Sequence, residues 1–70
     1  MNAWRVVELL AVIADESRYG LLAMLAQAGE DGMLQGRLAT RSGLSLARFK
    51  RHIAKLVKAG LVRRNHRRKG

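Results

Sequence analysis

Between Ala3 and Ala14 the apolar residues Trp4, Val6, Val7, Leu9, Leu10, Val12 and Ile13 cover most of a helix circumference, with only Arg5 and Glu8 charged. A helix that is apolar on so many sides calls for burial on more than one of them. Asp15 is suited to cap a second helix, with Glu16 in its first turn facing the positive end of the dipole. Tyr19, Leu22, Leu25 and Ala26 then recur at helical spacing, and Gly29 closes the segment. Gly20 falls inside that pattern, where it marks either a close helix contact or a break between two shorter helices.

Glu30-Asp31-Gly32 reads as a turn, after which Leu34, Leu38 and Ala39 line one side of a short third helix that ends before Gly43. Ser45 can cap the next helix, whose apolar face reads Leu46, Phe49, Ile53, Leu56 and Val57. Arg48, Arg51, Lys55 and Lys58 recur on another face at spacings of three and four, so one side packs and the other is cationic. Gly60 supplies a C-terminal cap with Leu61 as the apolar residue beyond it, and Leu61-Val62-Arg63 can extend as a short strand. The predicted fold is mainly α, with about four helices and at most a short β segment after the last one; two helices joined by a short glycine-containing turn, the second basic on its outer face, form the helix-turn-helix arrangement.

Seventy residues make one small domain, and a chain of this size buries only about 60% of the surface its unfolded form exposes. Oligomerisation is the expected remedy, because the absence of cysteine removes both disulfides and thiolate metal sites, and His52 and His66 are too few for a structural zinc. No cofactor and no metal ligand set is expected. No apolar run approaches the roughly 18 to 20 residues that span a bilayer, and the N-terminus lacks the basic region and cleavage site of a signal peptide, so a cytoplasmic protein is expected.

Charge changes the picture most. Residues 1–31 hold Arg5 and Arg18 against Glu8, Asp15, Glu16, Glu30 and Asp31, a net of −3, while residues 32–70 hold twelve Lys or Arg and no acid, a net of +12. Such a split points to nucleic acid or an anionic surface as the partner. A membrane role is the weaker reading, since the most apolar helix is near neutral and the basic one is needed for the core.

Leu38-Ala39, Gly43-Leu44-Ser45, Arg51-His52-Ile53, Leu56 and Ala59-Gly60-Leu61-Val62 resemble, in register and without a gap, the core of winged-helix repressors of the ArsR/SmtB type. Ala14-Asp15-Glu16-Ser17-Arg18 looks like the segment that opens that family's second helix, so the resemblance covers about residues 14–64. It implies a winged-helix-like helix-turn-helix domain and a dimeric, sequence-specific regulator of double-stranded DNA, usually a repressor, with its second motif helix in the major groove. The metal-sensing members carry a Cys motif before the turn, whereas Met33-Leu34-Gln35-Gly36-Arg37-Leu38 has no thiol, so metal sensing is not carried over and no small-molecule ligand is evident. The family ends in a two-stranded wing and usually a further dimerising helix, and this chain reaches Gly70 where a wing would turn.

Residues 45–59 form the expected recognition helix, because a major groove about 12 Å wide admits a helix whose N-terminal half faces the base edges. Ser45, Ala47, Arg48 and Arg51 fall in that half. Arg48 and Arg51 are candidates for bidentate bonds to guanine, Ala47 allows close approach, and Lys50 and Lys55 suit phosphates. Arg63, Arg64, Arg67, Arg68 and Lys69 form a basic C-terminal run that could serve as an arm in the wing's place. Residues 1–64 are thus expected to form the domain and 65–70 a basic tail. His52 is assigned to the helix seam in preference to a phosphate contact, and Phe49 and Trp4 to packing in preference to base stacking. The apolar surplus of the first helix leaves Trp4, Val7, Leu10 and Ala11 for a partner, most simply a second copy.

Catalysis has little support: the chain has no cysteine nucleophile, no phosphate-binding Gly-rich loop and no paired acids in its basic half. The rival class is a protein-interaction or non-specific architectural module using the same basic surface.

Overall fold

The computed structural model describes residues 2–64. Four helices follow one another: α1 Ala3–Ile13, α2 Glu16–Ala28, α3 Gln35–Ser42 and α4 Leu46–Lys58, with a single 3-10 turn at Gly29–Asp31 between α2 and α3. Short polar side chains start three of them. The Asn2, Asp15 and Ser45 side-chain oxygens accept from the backbone N–H of Arg5 (2.8 Å), Arg18 (3.0 Å) and Arg48 (3.2 Å), satisfying donors that a first helical turn leaves unpaired.

Three helices supply the core. Leu21 of α2, Leu38 of α3 and Phe49, Ile53 and Leu56 of α4 form one buried cluster, flanked by half-buried Val12, Leu25, Met33, Leu44 and Leu61. Helix α1 contributes no fully buried residue. Its Val12 packs at the margin of the core, and the Arg5 guanidinium donates to the Ala59 carbonyl at the C-terminus of α4, where a cation also suits the helix dipole.

Gly43, in the left-handed conformation (φ 74°), ends α3 and opens the three-residue turn to α4, a backbone state that other residues adopt with strain. The end of α4 is a paired cap in which Gly60 N–H bonds to the Val57 carbonyl (3.0 Å) and Leu61 N–H to the Leu56 carbonyl (3.0 Å), with Gly60 at φ 80°.

Several expectations are corrected. Leu61-Val62-Arg63 is not a strand, and no strand occurs among the described residues. The Leu61 and Val62 amides both turn back to the Leu56 carbonyl, so they are unavailable to a ladder. Gly20 marks neither a break nor a close contact: α2 runs through it, and a Cβ there would meet nothing within 4 Å. The buried position of α2 is Leu21, whereas Tyr19 is 63% exposed. Leu34 precedes α3 in an extended conformation, which swings it out of the row formed by Leu38 and Ala39 and leaves it exposed. Leu46 does not join the apolar face of α4; it is 61% exposed, because the whole first turn from Ser45 to Arg48 lies outside the reach of the neighbouring helices. Trp4, expected to pack, is 75% exposed.

Candidate nucleic-acid interface

Helix α4 separates its two faces cleanly. Phe49, His52, Ile53 and Leu56 point into the protein, and Ser45, Ala47, Arg48, Lys50, Arg51, Lys55 and Lys58 are all exposed. The buried row fixes the roll of the helix, so the outward direction of the cations follows from the packing of Phe49 and Leu56, both 0% exposed. Ser45 fixes the first turn through its bond to the Arg48 amide. The only ion pairs among the described residues are Arg5–Glu8 (3.6 Å) and Arg18–Asp15 (3.9 Å), so no α4 cation has an acidic partner among them.

Arg63 and Arg64 are exposed immediately after the Gly60 cap. Arg67, Arg68 and Lys69 lie outside the described residues. Sequence reasoning passed over two further cations: Arg37 and Arg41, one turn apart on α3, are exposed on the first helix of the motif, the one that crosses the DNA backbone in helix-turn-helix complexes. Their i,i+4 spacing on a helix with no acid was the available signal.

His52 sits inside the helix seam, 6% exposed, as its apolar row requires. Its Nδ1 lies 3.1 Å from Arg18 Nη1, whose Nε donates to the Val12 carbonyl at 2.6 Å. Arginine can only donate, so Nδ1 is the acceptor and the neutral ring carries its proton on Nε2. Arg18 therefore joins the end of α1, the cap of α2 and the middle of α4. Burial holds His52 below its ordinary value of 6.5; Asp15 opposes that, and Arg18, Arg51 and Arg48 add to it. The bond from the Arg18 amide, more than the guanidinium, holds Asp15 below 3.8.

A pH dependence follows. The unfolded chain takes up the His52 proton near 6.5 while the folded chain resists it, so stability falls as pH drops below about 6.5 and levels off below the folded-state value. Asp15 acts only in the more acidic window below 3.8. Urea midpoints are expected to be lower at pH 5.5 than at 7.5, and His52→Asn, which offers an acceptor near Nδ1 but does not titrate, is expected to flatten that difference. Equal midpoints in the parent protein, or an unchanged drop in the variant, would remove His52 as the cause.

The apolar surface of α1 is open. Trp4 is 75%, Leu10 59% and Val7 51% exposed, and Ala11 is exposed beside them. No helix is long and apolar enough to cross a membrane among the described residues, and no group of three His, Asp or Glu side chains there could hold a metal ion.

No curated protein and no solved structure matches the chain. A family model described as a helix-turn-helix domain matches residues 13–65, which include α2, the Gly43–Ser45 turn and α4, and make up more than half of the sequence. With α3 and α4 joined by a three-residue, glycine-containing turn and a basic second helix, the chain belongs to the helix-turn-helix domain family.

Proposed function

We propose that the protein is a sequence-specific regulator of transcription that binds double-stranded DNA as a homodimer, lays α4 in the major groove and represses by blocking promoter access. The observation that carries this reading is the outer face of α4, where Ala47, Arg48, Lys50, Arg51 and Lys55 stand exposed, without ion-pair partners among the described residues, on a helix whose roll is fixed by its buried row. Arg48 and Arg51 read guanines, Lys50 and Lys55 hold phosphates, and Arg63, Arg64 and the basic run beyond them form an arm along the adjacent backbone. Residues 1–64 act as the binding domain and 65–70 as its tail. The regulator is of the winged-helix kind that resembles ArsR/SmtB proteins, works in the cytoplasm without a thiol sensor and performs no catalysis. Trp4, Val7, Leu10 and Ala11 form the dimer contact, which places two α4 helices about 34 Å apart on an inverted repeat.

The test begins with selection from a random pool of 30-base-pair duplexes, followed by fluorescence anisotropy on the enriched duplex and a scrambled one at about 150 mM salt. A preference of about 10³-fold or more is expected, the lower end for specific regulators, with an inverted repeat in the enriched sequence. Sedimentation equilibrium at micromolar concentration is expected to give twice the 7.8 kDa chain mass. Equal binding to both duplexes would mean architectural binding, a monomeric mass would remove the dimer, and no binding to either would leave the protein-partner reading.

A further inference from the structure

We propose that Leu46 reads the C5-methyl groups of thymines, giving the DNA site an apolar determinant beside the guanines assigned to Arg48 and Arg51. This rests on the reading of α4 as the recognition helix. The other large aliphatic and aromatic residues of α4 behave as core: Phe49, Ile53 and Leu56 are at most 3% exposed. Leu46 is 61% exposed and takes no part in the core cluster. It is the first residue of the helix, directly after the Ser45 cap, so packing has no use for its side chain and the capping bond holds its backbone in place.

Its position matches one chemistry. A recognition helix brings its first turn closest to the base edges, and the thymine methyl is the apolar group that the bases present in the major groove. Leu46 and Ala47 form a small uncharged edge at that leading turn, ahead of Arg48, Lys50 and Arg51. Helical spacing puts Leu46 at the rim of the buried face, between Phe49, three residues on, and Lys50, four residues on, and Arg48 on the side of Arg51, three residues on. The leucine and Arg48 therefore flank Ala47 on opposite sides, an arrangement able to address different base pairs.

The experiment uses the full chain and the duplex enriched from the random pool, with each thymine replaced in turn by deoxyuridine, which removes only the methyl. One or two of these replacements are expected to weaken binding about fourfold each, the equivalent of one buried methylene. Leu46→Ala is expected to bind the thymine duplex correspondingly less tightly, to lose the response to those deoxyuridines, and to keep its thermal midpoint because the side chain is exposed. If no deoxyuridine weakens the parent protein, or if the same ones weaken Leu46→Ala equally, Leu46 does not read the methyl. Failure to enrich any duplex over the scrambled one would overturn the recognition-helix reading itself, and the leucine assignment with it.

Discussion

Replacing Phe49 with alanine is expected to destabilise the fold by about 3–5 kcal/mol, the usual cost of deleting a buried phenyl ring. Phe49 is 0% exposed and is the largest of the three side chains that are fully buried, in one cluster with Leu21, Leu38, Ile53 and Leu56. A domain of this length at roughly 0.05–0.15 kcal/mol per residue holds only about 4–10 kcal/mol in total, so the substitution takes away a large share of it. Two consequences follow from one site. The hole opens at the meeting point of α2, α3 and α4, and it loosens the buried row that sets the roll of α4, so the outward cations lose their fixed direction. Urea unfolding followed by helical circular dichroism measures the first, and Phe49→Leu, which keeps most of the volume, is expected to cost about 1.5 kcal/mol or less if the site repacks. A loss under about 1 kcal/mol for Phe49→Ala would show that the core is organised around other residues.

The parts of the fold that were legible in the sequence are those specified locally. Asp15 and Ser45 cap helices because a short acceptor three residues before an amide can satisfy it with no help from the rest of the chain. Gly29, Gly43 and Gly60 all take positive φ where the periodic segments stop. The cationic face of α4 was legible because Phe49, Ile53 and Leu56 fix its phase, and the charged residues are excluded from that side. Phase was illegible where apolar residues crowd several sides. Leu21, Leu22 and Leu25 offer α2 more than one stripe, and the choice of Leu21 over Tyr19 depends on where α3 and α4 lie, which no local pattern states. Leu46 fits the apolar spacing of α4 and is nevertheless exposed, since spacing gives direction around a helix but not how far along it the neighbours extend. His52 was assigned correctly to the seam, yet its partner Arg18, 34 positions away, follows from tertiary packing. Leu61-Val62 reads as a strand by composition, and the cap on Leu56 consumes the amides that a strand would have used.

Replacing Arg48 or Arg51 with alanine is expected to weaken binding to the enriched duplex roughly 5- to 150-fold each, the range of about 1–3 kcal/mol for a bidentate arginine–guanine contact. Both side chains are exposed and have no acidic partner among the described residues, so their removal leaves no orphaned charge in the protein and little change in its stability. The effect should be specific to sequence. Each variant is expected to bind all duplexes more nearly equally, and to lose its response to 7-deazaguanine, which lacks the N7 acceptor, at the base its arginine reads. Lys50→Ala and Lys55→Ala are expected to behave differently, weakening every duplex alike and reducing the slope of log K against log salt by about 0.9 for each phosphate that is no longer neutralised. Because Arg48 and Arg51 are helical neighbours three residues apart, the double variant can depart from the sum of the single losses. If Arg48→Ala and Arg51→Ala lower affinity uniformly and change only the salt slope, both arginines hold phosphates, and base reading in α4 falls to Leu46 and Ala47.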